Sequence, residues 1–203
     1  DILINIDSNK FPSFLRNKEL EEYYKSIGYY KYNYEFLNFE ITWINHKIFF
    51  PTFLDDNINK FKLNKKNRFF IIPIGIELND MSHSNILIYD RKINELERFE
   101  PNGRSYPYSF NYNPNLLDYL INKKFDNYFK NMKYIKPENF LPEISFQQLE
   151  SYNESSKKIG DPGGFCSAWS LWYAEMRIKY PDLERSILVR KLISNIKRKN
   201  ISF

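Results

Sequence analysis

Apolar and polar positions along this chain sort into a few segments with clear periods. "RFFIIPIGIEL", Arg68 to Leu78, is a run of β-branched and aromatic residues suited to a buried strand. Pro73 inside it predicts an edge or a bulge. "SNILIYD", Ser84 to Asp90, reads as a second strand and "ELERFEP", Glu95 to Pro101, as a third, with "RKIN" as the hairpin turn between them. "FEITWINHKIFFP" fits strand and helix alike. Short strands are also expected in "YIKPENF" and "EISF".

Helical spacing marks four other segments. "RNKELEEYYKSIG" predicts a short helix stopped at Gly28. "NPNLLDYLINKKFDNYFKNM" has Asn113 as cap, Pro114 in its first turn, and an apolar stripe of Leu117, Leu120, Phe125, Tyr128 and Phe129. A helix runs from Cys166 to Pro181. The last helix starts at Asp182 as cap, with Ile187, Leu188, Leu192 and Ile196 on one face. Helices on either side of a strand block indicate an α+β fold, with a central, mostly antiparallel sheet flanked by helices.

Composition narrows the class. With 42 % apolar and 18 % aromatic residues among 203, the chain can bury a core and is not a disordered polymer. The formal charge of +5 mildly favours acidic partners, but the basic residues are spread out and do not make a nucleic-acid signature. The dense clusters, Lys62 to Lys66 and Lys197 to Lys199, read as solvated. Nothing approaches the roughly 20 apolar residues of a membrane span. No secretory signal is visible, and a start at Asp1 is what a trimmed piece of something larger would show. We read no repeat and no low-complexity linker. A single cysteine excludes an internal disulfide and a multi-cysteine zinc site, and it suits a reducing, intracellular compartment.

That cysteine, Cys166, follows "DPGGF". The Pro-Gly-Gly stretch cannot be mid-helix, so the helix begins at or beside Cys166. A free thiol has a pKa of about 8.5 and must be lowered to act as a nucleophile near neutrality. A helix N-terminus and a neighbouring imidazole both do this. Gly163 and Gly164 would let a substrate backbone approach and leave N–H groups for an oxyanion. Of two histidines, His46 lies in an apolar stretch, whereas His83 lies at a strand start beside a loop. In the predicted hairpin the start of one strand lies beside the end of the next. This brings Glu100, in "RFEPNG", next to His83, where it can fix the tautomer. Asn102 is a rival orienter.

"HSNILIYDRKINELERFEPNG" resembles the histidine-to-glutamate hairpin of the adenain family of cysteine peptidases, in which His, strand, turn and strand lead to Phe-Glu-Pro-x-Gly. The wider clan includes the SUMO-specific proteases and related bacterial and viral deubiquitinases. Its order along the chain is His, an acid, a Gln, then Cys at a helix start. Here that order is met by His83, Glu100, Gln147 or Gln148, and Cys166. The resemblance covers Phe69 to Tyr173, about half the chain. "GDPGGFCSAWSLWY" also looks like the cysteine segment of predicted peptidases from large DNA viruses. Three positions depart from the clan pattern: Ser84 where Trp usually follows the histidine, Ser167 where Gly commonly follows the cysteine, and glutamines 18 and 19 residues before Cys166 where six or seven are usual. An inserted loop, "SYNESSKKIGDPGG", accounts for the longer spacing.

The resemblance implies a papain-like or adenain-like cysteine peptidase fold, with Cys166 as nucleophile, His83 as base and Glu100 as its orienter. Gln147, or alternatively Gln148, would serve the oxyanion. It implies no metal and no organic cofactor. It further implies cleavage after Gly-Gly-type sequences, with a partner that is ubiquitin, a ubiquitin-like modifier or a Gly-containing protein precursor. Gly163, Gly164, Phe165 and Trp169 are the candidate substrate-binding residues. Residues 1–65 are expected to form a helical and extended segment that holds the substrate, and residues 66–203 the catalytic core, in one compact unit overall. Each residue also has an ordinary reading: Cys166 as a small buried apolar group, His83 as a loop histidine, Glu100 as a surface charge, Trp169 as core. The alternatives in function are a viral maturation protease and an acyltransferase on the same fold.

Overall fold

A computed structural model describes residues 17–28, 39–78, 82–104, 110, 112–147 and 165–199. Six strands form one sheet in the order β2-β1-β3-β4-β5-β6: β1 Ile41–Ile44, β2 Lys47–Phe49, β3 Phe69–Glu77, β4 Ser82–Asp90, β5 Glu95–Phe99 and β6 Lys133–Ile135. Pairing is antiparallel except between β1 and β3 and between β5 and β6. The helices are α1 Lys18–Ser26, α2 Leu54–Leu63, α3 Pro114–Asp126, α4 Cys166–Lys179 and α5 Arg185–Lys199. This is an α+β fold with a mostly antiparallel sheet, as the patterning predicts.

Period-two alternation gives the sheet two apolar faces. Ile72, Ile74, Ile76, Leu87, Tyr89 and Leu96 pack against Leu54, Ile58 and Phe61 of α2 and Leu117, Ile121 and Phe125 of α3. Ile86, Ile88 and Phe99 face the other way, onto Trp169 and Tyr173 of α4 and Leu188, Val189 and Leu192 of α5. Burying each such side chain is worth about 1.5–3 kcal/mol, so both faces are held firmly. α1 covers the β1–β2 hairpin through Leu20, Tyr24, Ile44 and Phe49.

The ambiguous "FEITWINHKIFFP" is this hairpin. Asn45 and His46 both take positive φ, the conformation of a tight two-residue turn. α2 has no counterpart in the elements predicted above. Its Leu54, Ile58 and Phe61 stripe is helical in spacing, but "FLDDNINKFKLNKK" is polar enough to pass for a loop. β1 pairs along the second half of β3, from Ile74 to Glu77, so residues 41–44 belong to the same sheet as the strands that follow. Pro73 sits just before that pairing begins, on the half of β3 that β1 does not reach, and the β3–β4 register passes it without a bulge.

Three boundaries differ from the sequence reading. "EISF" is not a strand: residues 143–145 are irregular, and Phe146 and Gln147 enter a helical turn. "YIKPENF" is strand only at its start, because Pro137 opens a short 3-10 turn. Asp182 does not cap α5. Glu184 does, accepting from the N–H groups of Ser186 and Ile187 at 2.9 and 3.0 Å, while Asp182 pairs with Arg68 and Lys92. Ile187 lies half-exposed, and Val189 takes its place in the core.

Candidate active site

The β3–β4–β5 meander sets the site. β4 begins at Ser82, so His83 is within the strand and pairs with Ile76 of β3. His83 and Asn85 project to the α3 side of the sheet. One strand over, Arg98 projects to the same side, and Glu100 follows in phase. His83 and Glu100 are both 2 % exposed. Nε2 of His83 lies 2.7 Å from Glu100 Oε1. The two residues are 17 apart in sequence, and the hairpin closes that distance.

α4 packs along β4 and brings Cys166 to the end of that strand. Cys166 is the first residue of the helix, behind Phe165 at the cap, and no acidic side chain lies in the first turn to offset the positive end of the dipole. The sulfur takes hydrogen bonds from the His83 imidazole and from backbone N–H groups of Ser84 and Ser167. Since Glu100 occupies Nε2, Nδ1 is the nitrogen left for Cys166. Cys166 is 6 % exposed, yet it is not an inert core thiol, because its neighbours are donors.

The electrostatics follow from these contacts. Burial pushes the Cys166 thiol up, but the His83 hydrogen bond and charge and the two backbone donors outweigh it and leave the pKa lowered. Burial pulls the His83 imidazole down, but the Glu100 charge and the bonds to Cys166 and Glu100 lift it to about 9. Burial pushes Glu100 up, and His83, Arg98 and the Asn102 N–H together bring it down to about 2. A lowered thiol beside a raised imidazole is the arrangement that stores a proton on nitrogen and leaves a nucleophilic thiolate.

Glu100 is held on every side. Asn85 Nδ2 donates to Oε2 at 2.9 Å, Tyr112 Oη donates to Oε2 at 3.2 Å, and the Asn102 N–H donates to Oε1 at 3.0 Å. Asn102 Nδ2 stands 3.5 Å from His83 Nε2, but the proton on that nitrogen is directed at Glu100, so Asn102 serves the carboxylate through its backbone. The turn after Glu100 explains the glycine of "FEPNG". Gly103 has φ +115, and a Cβ there would meet the Glu143 carbonyl oxygen at 2.5 Å.

That turn lies alongside residues 142–147. Arg104 N–H donates to Pro142 O, Ser145 N–H to Asn102 O, and Gln147 N–H to Pro101 O at 3.1 Å. Gln147 is thus tied to the residue after Glu100, through a helical turn and not the strand expected. Gln148, Gly163 and Gly164 lie outside the described residues. Phe165 is half-buried at the start of α4. Trp169 is 2 % exposed and stacks on Phe146 with ring centres 5.5 Å apart, so it stands in the core. His46 is exposed in the β1–β2 turn, against Trp43.

Sequence reasoning missed the residues beneath His83 and Glu100. Arg98 donates through Nε and Nη2 to both oxygens of Asp118, at 2.7 and 3.0 Å, and through Nη1 to Asn85 Oδ1 at 2.6 Å. Tyr134 Oη donates to Asp118 Oδ1 at 2.7 Å. The signal was present: Asn85 and Arg98 stand two residues from His83 and Glu100, in strands with period two. Glu40 was also missed. Its carboxylate lies over Gly75, the β3 partner of Ser84, and burial together with Glu77 pushes it up to about 7. Among the described residues no group of three or more His, Cys, Asp or Glu could hold a metal ion, and no helix is long and apolar enough to cross a membrane. A cleft of about 360 Å³ between α2 and the first half of β3 shares no residue with the site.

No family model matches the chain. An ankyrin repeat protein of Acanthamoeba polyphaga mimivirus is 42 % identical over 207 aligned residues, which cover 98 % of this chain. The chain spans about a quarter (26 %) of that relative's length. Among solved structures, the Legionella pneumophila effector protein RavZ superposes with a TM-score of 0.33 at 13 % identity, over 65 % of this chain and 45 % of its own. At that level the likeness decides neither fold nor activity.

Proposed function

We propose that the chain is a cysteine peptidase of the adenain and SUMO-protease clan. The observation that carries the reading is the continuous array from Cys166, first residue of a 14-residue helix, through His83 to Glu100. In the proposed reaction the Cys166 thiolate attacks the scissile carbonyl and forms a bond to carbon. The His83 imidazolium passes its proton to the departing amine, and a thioester remains. Water, deprotonated by the same imidazole, then attacks that thioester, the cleaved chain leaves with a new carboxyl end, and the thiolate–imidazolium pair is restored. Glu100 keeps the ring in orientation and offsets its charge. Backbone N–H groups at the start of α4, with Gln147 or Gln148, serve the oxyanion.

The substrate class we infer is a protein ending in Gly-Gly, joined to an amine, so the activity is removal of ubiquitin or a ubiquitin-like modifier. Its support is the hairpin "HSNILIYDRKINELERFEPNG", which resembles that of the clan, and the Gly-Gly stretch before Cys166. The mimivirus relative supports a viral setting, and the single cysteine of the chain is the ground for proposing a reducing compartment.

The test is reaction with ubiquitin, SUMO and related modifiers that carry a C-terminal electrophile. The expected result is one adduct, on Cys166, with one modifier class, absent in Cys166→Ala. Replacing the last glycine of that modifier's tail with Val should slow cleavage at least about a hundredfold, equivalent to about 2.7 kcal/mol. Reaction with no modifier, alongside cleavage of a Gly-containing precursor, would replace deconjugation with maturation proteolysis. Release of acyl groups to amines and not to water would indicate an acyltransferase. A Cys166 that reacts with no electrophile overturns the peptidase reading itself.

A further inference from the structure

The groups below Glu100 form a chain in which every donor and acceptor is forced. Tyr134 and Tyr112 are pushed well up by burial, so each presents an O–H. Asp118 accepts from Tyr134 and from both sides of the Arg98 fork. Arg98 can only donate, so the Asn85 atom it meets at 2.6 Å must be the amide oxygen. That fixes the amide, and its nitrogen must face Glu100 Oε2. Glu100 is thereby an acceptor throughout, and its Oε1 is left for His83 Nε2. The imidazole consequently points Nδ1, and no other atom, at Cys166.

The charges balance as well. Arg98 is buried, with its nearest contact to Glu100 Oε2 at 4.0 Å, and Asp118 takes its fork in bidentate fashion. Without Asp118, Arg98 would draw Glu100 away from His83. With it, the Arg98 fork is taken by Asp118, and Arg98 acts on Glu100 through its charge at 4.0 Å and through the amide of Asn85. Asn85 is 0 % exposed, and both polar ends of its amide are used.

We propose that Asn85 and Arg98 are positioning residues for the Cys166–His83 pair: Arg98 locks the Asn85 amide, and Asn85 holds Glu100 against the imidazole. The inference rests on the peptidase reading for its purpose, but its test does not need a substrate. The groups facing the assembly are His83, Cys166, Tyr112, Asp118 and Tyr134, and none of them is altered in the test.

Cys166 is the only cysteine of the chain, so the rate of its alkylation by iodoacetamide against pH reads this one thiol. The 203-residue chain should show a midpoint below that of a free thiol. Asn85→Leu, similar in shape but without the amide, should move the midpoint up by about one unit and lower the rate at pH 6 about tenfold. Arg98→Lys keeps the charge but cannot serve Asp118 and Asn85 together, and it should shift in the same direction. Phe125→Leu, a core change of comparable disturbance in α3, should melt earlier with its profile unmoved. A folded Asn85→Leu with the wild-type profile overturns the role of Asn85, and a folded Arg98→Lys with the wild-type profile overturns that of Arg98. If neither variant folds, the network is structural only and the proposal falls. A wild-type midpoint at the free-thiol value would instead reject the ion pair, and with it the peptidase reading.

Discussion

Glu97 and Arg98 follow one another in β5, so their side chains leave the sheet on opposite faces. Both are buried, and each gathers a cluster of charges. On the α4–α5 side, Glu97 accepts from Tyr173 Oη and Arg177 Nε at 3.0 Å each and pairs with Arg185, whose Nη1 reaches Glu95 at 2.6 Å. On the α3 side, Arg98 and Asp118 support Asn85, Glu100 and His83. The first cluster pairs arginines, which stay charged, with carboxylates. It clamps both C-terminal helices to the sheet. The second cluster ends on an imidazole and a thiol whose proton can move. The same strand thus fastens the cysteine helix with one residue and prepares the histidine with the next.

Loss of the movable proton should give the largest effect. Cys166→Ala and His83→Ala are each expected to lower peptidase turnover roughly a thousandfold or more, with melting temperatures close to wild type. Turnover by either at a tenth of the wild-type rate would remove it from the second cluster's chemistry. Glu97→Gln breaks the static cluster. It leaves Arg177 and Arg185 without their shared carboxylate and should cost about 3–5 kcal/mol in urea unfolding. Its folded fraction should keep the alkylation profile of Cys166. A mutant as stable as wild type but shifted in that profile would reverse the assignment of the two faces.

Glu100→Gln strikes the second cluster instead, lowering turnover about a hundredfold and removing the stability that the ionised carboxylate contributes at neutral pH. It should also flatten the acid limb of stability. The folded pKa of Glu100, about 2, lies below the ordinary 4.5, so the unfolded chain binds more protons between those values. The stability it contributes is therefore whole above pH 4.5 and is lost as pH falls toward 2. His83 runs the other way: with a folded pKa of about 9 against 6.5, its contribution is whole below pH 6.5 and fades as pH rises toward 9, where the lowered thiol of Cys166 opposes it. Thermal melts of wild type and Glu100→Gln between pH 2 and 5 check the sign, and a parallel loss in both would break the assignment. The smallest effect is reserved for His46→Ala, which should change stability by no more than about 0.5 kcal/mol and leave turnover alone.

Much of this was legible in one dimension. Alternation in "SNILIYD" and "ELERFE" named the hairpin, and a hairpin leaves little freedom over which residues face each other. That is why the sequence alone pairs His83 with Glu100. Pro-Gly-Gly before Cys166 marked a helix start for the same local reason. Less was legible where polar residues hide a buried stripe, as in α2, or where two caps compete, as with Asp182 and Glu184. "EISF" misled because four residues carry too little period to separate strand from turn.

The sequence by itself determined the local matters: strand periods, the hairpin turn at "RKIN", the helix start at Cys166 and the order of His83, Glu100 and Cys166. These depend on backbone preferences and on neighbours a few residues away. Only the tertiary structure decided that Nδ1 and not Nε2 faces the thiol, that Asn85 and Arg98 brace Glu100 while Glu97 clamps the helices, and that Gln147 lies beside Pro101. Those outcomes depend on contacts between residues 13 to 88 apart, such as Asn85 with Arg98 and Glu97 with Arg185. Charge and hydrogen bonding act through space, and a chain read in order holds the partners without the distances between them.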